Sequence, residues 1–190
     1  MNRRQAMAAI GTGGLALAGG AAASQPPVPA LKVSVVLPEL YGLDGKLTHP
    51  PTLRNAGSGF KFVVVVENLS AAAVFVWAEG HSEGHGTLSF EVEAKGKRVA
   101  VRRLGREWSK NVLRLEKLAP GGLHARVVEY DALTGMTPQW EPFPFGAKDS
   151  QLEVTLRAVF EQRKADWNGK LTPWSGRVVS PEYKVTLLNA

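Results

Sequence analysis

The stretch QLEVTLRAVFEQ, residues 151–162, decides how this chain folds. Leu152, Val154, Leu156 and Ala158 alternate with Glu153, Thr155 and Arg157, the period of two that sends successive side chains to opposite faces of a strand. The overlapping window AVFEQRKADW, 158–167, is the nearest approach to a helical pattern, and it begins inside that strand. No segment sustains a helical period.

Working outward, the same signature recurs. Downstream, GRVVSPEYKVTLL (176–188) reads as a strand that Pro181 bends, bulges or confines to an edge. Upstream, NVLRLEKLAPGGLHARVVEY (111–130) reads as a hairpin about Pro120-Gly121-Gly122, with Leu123, Ala125 and Val127 on one face. TLSFEVEA and RVAVRRL form a second hairpin about Lys95-Gly96-Lys97, with Leu88, Phe90 and Val92 on one face. The β-branched run FKFVVVVENLS (60–70) suits a central strand, and VFVW (74–77) and LKVSVVLP (31–38) are further strands. The segments 38–59 and 131–150 carry Gly, Pro, Asp and Asn and are expected to be loops. Short strands punctuated by Gly and Pro, with no helix between them, predict an all-β fold: a single antiparallel immunoglobulin-like β-sandwich of about seven to nine strands over residues 31–190.

The first residues stand apart. Arg3-Arg4 precedes an uncharged Gly/Ala-rich run, Ala6 to Ala23, that ends in small residues, and the Pro-rich linker 24–30 follows. A charged start, a short apolar core and a small-residue end describe a signal peptide over 1–23 cleaved near Ala23, and the paired arginines give it a twin-arginine-like form. The expected location is therefore the periplasm, the extracellular medium or the cell surface. No stretch after the signal is long and apolar enough for a stable membrane span.

The chain of 190 residues has no cysteine, which excludes disulfides and thiol chemistry. Its net charge is +6; without Arg3 and Arg4, 21 basic residues face 17 acidic ones. That small excess does not point to specific nucleic-acid binding.

The order of an apolar strand ending in Asn68, LSFEV, the L-x-PGG turn leading to ARVVEY, LRAVFEQ, and the closing W-S-G-R-V-V-S-P-E-Y-K-V-T-L resembles immunoglobulin-like or fibronectin type III-like domains of exported bacterial proteins. It is also similar to secreted bacterial sandwich proteins that close on W-x-G-x-V-x-S. The resemblance covers about residues 31–188. It implies adhesion, scaffold or ligand-binding roles, with an unknown protein or a polysaccharide as partner, and carries over no catalytic residue.

Three constellations are candidates for chemistry. WAEGHSEGHG (77–86) places His81 and His85 four apart with Glu79 and Glu83 beside them, and His49 or His124 could add a third ligand. Zinc needs three or four such groups at about 2.0–2.2 Å. Gly80, Gly84 and Gly86 argue against a helix that would align the pair, and a polar hairpin loop is the simpler account. The loop aromatics Trp140 and Phe143, together with Trp167 and flanked by Phe145, Asp166, Asn168 and Trp174, suit stacking on a sugar or a peptide. The plainer reading is that such rings plug the ends of a sandwich. In KGKRVAVRRLGREWSK (95–110), Arg98, Arg102, Arg103 and Arg106 gather about Trp108, as for a polyanion or, more simply, a solvated sheet face.

Neither a G-x-S-x-G elbow nor an H-E-x-x-H, phosphate-loop or calcium-loop pattern occurs, and no cofactor motif is present. Glu129 and Asp131, the nearest carboxylate pair, fall at an exposed strand end. The expected function is that of an exported non-catalytic binding or structural module. A carbohydrate- or peptide-binding module and a metal-binding protein or metal-dependent enzyme are the alternatives.

Overall fold

A computed structural model of the chain describes residues 30–38, 50–55, 60–108, 110–130, 139–144, 146–147, 150–164 and 169–189. Arg3, Arg4, Ala23, the linker up to residue 29, His49, Asp131, Phe145, Asp166, Trp167 and Asn168 lie outside the described residues.

The described chain is almost entirely strand: β1 (Leu31–Val36), β2 (Thr52–Asn55), β3 (Phe60–Asn68), β4 (Val74–Trp77), β5 (Leu88–Ala94), β6 (Lys97–Arg102), β7 (Leu115–Leu118), β8 (Leu123–Tyr130), β9 (Ser150–Gln162), β10 (Gly176–Val179) and β11 (Tyr183–Asn189), with one helical turn, α1 (Ser82–His85). The strands number eleven among the described residues, against the seven to nine expected, because β2 was not expected and the terminal segment 176–188 divides at Pro181 into β10 and β11. β2 forms inside the expected loop 38–59, where Leu53 is buried.

One sheet has the order β1-β3-β8. The other runs β2-β11-β9-β5-β6, with β10 also on β9, and β4 pairs with β7 in a separate ribbon. All pairings are antiparallel except β2 with β11. The two larger sheets share one apolar core. Leu31, Val33, Val35, Phe60, Phe62, Val64, Val66, Val128 and Tyr130 come from the first, and Phe90, Val92, Val101, Val154, Leu156, Ala158, Phe160, Val185 and Leu187 from the second. The alternation in 151–162 thus places Val154, Leu156, Ala158 and Phe160 inward in the long strand that organises the larger sheet.

Two turns match the residues that form them. Lys95 and Gly96 both have positive φ, 49° and 74°, the two-residue connection whose twist matches a β5–β6 hairpin. Gly121, at φ 69°, makes the turn before β8. That turn does not join a hairpin, contrary to expectation, since β7 pairs with β4 and β8 with β3. Asn68 decides this. Its N–H donates to Gly122 O at 3.0 Å and its O accepts from Gly121 N at 2.9 Å, which registers β8 on β3. Its buried amide donates to Ala72 O, Leu118 O and Ala119 O while its Oδ1 accepts from Ser70 N, tying the end of β3 to the end of β7.

The terminal strand breaks at Pro181. Val179 pairs with Val159 and Tyr183 with Leu156, so the three residues 180–182 oppose the two residues 157–158: a β-bulge. Ser180 spans it, its Oγ accepting from Ala158 N and its N–H donating to Ala158 O, both at 2.9 Å.

Candidate functional site

The polar residues gather where α1 meets the inner face of β8. Despite the glycines of WAEGHSEGHG, residues 81–85 close one helical turn, His85 N donating to His81 O at 2.9 Å. Gly84 is required there, because a Cβ would overlap the carbonyl of Ala78. The freed Gly84 carbonyl accepts from Thr87 Oγ1 at 2.8 Å and lies 3.5 Å from Arg126 Nη1.

Arg126 is 3% exposed, the feature that sequence reasoning missed. In LHARVVEY the apolar set Leu123, Ala125 and Val127 turns outward, and His124, Arg126, Val128 and Tyr130 turn inward. Phe60 pairs with Tyr130 and Phe62 with Val128, so the aromatic face of β3 sets which face of β8 is buried. Arg126 Nη1 donates to Thr87 Oγ1 and Nε to His124 Nε2, both at 2.7 Å. His124 Nε2 therefore accepts, and its proton sits on Nδ1, 2.6 Å from Glu116 Oε2. The guanidinium also lies over Phe160 at 5.4 Å. Burial lowers the Arg126 pKa from the ordinary guanidinium range to about 10, partly offset by Glu116, so the group stays cationic at neutral pH. Burial first, and then the Arg126 charge, hold His124 below its ordinary 6.5. The result is a relay from carboxylate through imidazole to guanidinium that bridges the β4–β7 ribbon, β8 and the α1 turn.

The two histidines of WAEGHSEGHG serve separate carbonyls. His81, 1% exposed, places Nε2 2.8 Å from Arg114 O and packs edge-on against Trp77. His85 places Nε2 2.8 Å from Leu104 O, with Trp108 against its ring. Both Nε2 atoms thus carry the hydrogen, and His81 Nδ1 is enclosed without a partner among the described residues. Glu79 pairs with Arg103, and no three metal-ligating side chains converge among the described residues.

The loop aromatics lie in the core. Trp140 and Phe143 are each 4% exposed; Trp140 packs on Phe90, and Phe143 on Phe60 and Tyr130, at centroid distances of 5.1–5.3 Å. Residues 139–141 reach that position by pairing with the end of β6, through Leu104 N to Gln139 O and Glu141 N to Arg102 O. Trp174 is half-buried and stacks on Phe160. Neither Trp140 nor Phe143 offers an open face to a ligand.

The basic stretch is largely engaged. Arg98 pairs with Glu93 and Glu91, Arg103 with Glu79 and Gln139, and Arg106 covers Trp108 at 4.4 Å. Glu91 also receives Arg157 and Arg177, and Arg157 reaches Glu182, so the outer face of the larger sheet is a ladder of opposite charges. A depression of about 700 Å³ among Pro50, Pro51, Glu93, Lys95, Glu153 and Lys184 carries both signs of charge as well.

The outer face of the β1-β3-β8 sheet is the opposite case. Val36, Val63 and Val127 form one row across the strands, and Ser34, Val65 and Ala125 the next. Val36 is 55% exposed, and Val127 and Leu123 are each 63% exposed. Lys61–Glu129 and Lys32–Glu67 ion pairs flank the rows at either end. No family model matches the chain, no curated protein is detectably similar to it, and no solved structure matches its fold.

Proposed function

We propose that the chain is an exported, non-catalytic, immunoglobulin-like β-sandwich of the periplasm or cell surface, acting as a protein-binding module. The immunoglobulin-like assignment is supported by two mainly antiparallel sheets facing each other across one core. Its non-catalytic character is supported by the engagement of the chemically capable side chains: His81, His85 and His124 each hold an internal partner.

One observation carries the binding role. The outer face of the larger sheet is a charged ladder, whereas that of β1-β3-β8 presents Val36, Leu123 and Val127 to solvent. A contiguous apolar face rimmed by charge marks a contact with another macromolecule. It holds no ring to stack on a sugar, which favours protein over polysaccharide.

A photoreactive amino acid at position 127, compared with one at position 184 on the other sheet, tests this in producing cells. The expected result is one defined protein adduct at 127 and none at 184. No adduct at 127, or equal labelling at both, rejects the reading.

A further inference from the structure

We infer that the protein docked on the outer face of the β1-β3-β8 sheet is a second copy of this chain, related by a two-fold axis lying across the strands. This rests on the binding-module reading and names its partner.

The central rows of the face complement each other, although the two-fold brings Leu123 of each copy over Glu129 of the other. A two-fold across the strands at the level of Val64 lays β3 on β3 and β8 on β8 with their ends exchanged. The row Val36–Val63–Val127 then stacks on Ser34–Val65–Ala125 of the other copy, Val63 on Val65 at the centre, with Val36 over Ser34 and Val127 over Ala125 on either side. The same operation sets Lys61 of each copy opposite Glu67 of the other, one interval beyond the valines on each side. Repetition of every contact is the property of an isologous interface. Within one copy these charges are held only by solvent-exposed pairs, Lys61–Glu129 at 2.7 Å and Lys32–Glu67 at 3.7 Å, which are worth little and easily shared. The rims carry two lysines and two glutamates, a balance that disfavours an anionic lipid surface.

Size sets the strength. Three strands about 4.8 Å apart and about five residues of 3.4 Å cover on the order of 15 by 17 Å. That is well short of the ~800 Å² per partner of a standard interface, so the dimer is a transient one that forms as concentration rises.

Sedimentation velocity of the purified chain over about 5–500 µM is the test, a range suited to a small interface. The expected result is a weight-average sedimentation coefficient that rises toward a dimer. Val127→Lys should stay monomeric throughout with an unchanged melting temperature, because position 127 is already exposed. Lys61→Glu should weaken association about tenfold by placing like charges opposite each other twice. Lys61→Glu/Glu67→Lys should restore it, which a fault within one copy would not. A wild-type chain monomeric at every concentration, a dimer indifferent to Val127→Lys, or no recovery in the double variant overturns the inference. A position-127 adduct with a different protein rejects self-pairing and leaves the binding-module reading standing, whereas no adduct rejects both.

Discussion

A guanidinium enclosed with a hydroxyl, an imidazole and no carboxylate of its own makes Arg126 the residue on which the polar cluster turns. Truncating it leaves His124 Nε2 and Thr87 Oγ1 without their donor, so Arg126→Ala is expected to cost ~3 kcal/mol in urea unfolding. Replacing the set with apolar residues of similar volume, Arg126→Met with His124→Leu and Thr87→Val, removes the desolvation penalty along with the bonds. That triple variant should fall within ~1 kcal/mol of wild type or exceed it. His124 adds a pH dependence. Its pKa is lowered in the folded state, so below the ordinary 6.5 the unfolded chain takes up the proton first. Stability is complete above that value and is lost as pH falls toward the folded pKa. The wild-type melting temperature should therefore drop more between pH 7 and pH 5 than that of His124→Gln, which keeps an acceptor for Arg126 without titrating. None of this was legible in LHARVVEY, where hydropathy favours burying Leu123, Ala125 and Val127 and only the partner strand reverses the choice.

At the scale of elements, the long strands could be read directly, β5 and β9 because a period of two has no helical equivalent and β3 because of its β-branched run. VFVW was legible as β4, but β2 was not, since among the Gly and Pro of 38–59 it is defined only by its pairing with β11. Nor was the helical turn at 82–85, where glycine marks a close approach to Ala78 and not flexibility. Pro181 was legible as an interruption, and the structure shows its use. Along β10 the even residue Val178 faces the core, while along β11 the odd residues Val185 and Leu187 do. The extra residue of the bulge changes the parity. Deleting Pro181 should therefore leave both registers intact and cost only about 1 kcal/mol. Deleting Val185 instead forces the slip that turns Leu187 outward, and should abolish cooperative thermal unfolding.

For the molecule as a whole, the sequence indicated one all-β unit with a shared core, but not which outer face would stay apolar, because that depends on the facing of β8. It also indicated a leader, whose test is made in cells. The exported form should begin close to Ser24 by intact mass, and Arg3→Lys/Arg4→Lys should hold the longer precursor inside if the twin-arginine route is used. Normal processing of that variant assigns the chain to the general secretory route.

The parallel pairing of β2 with β11 bears on the order in which the protein can be built. Thr52–Asn55 finds its only strand partner among the described residues in Thr186–Asn189, so the ribosome must produce more than 130 further residues before that edge can close. β3, too, waits from residue 68 to residue 123 for β8. Nascent chains of intermediate length therefore expose valine-rich strands with open hydrogen-bonding edges, the species most prone to aggregate and to engage chaperones. Folding is expected to be a late event, completed after synthesis has passed β11, and slow by the measure of its distant contacts.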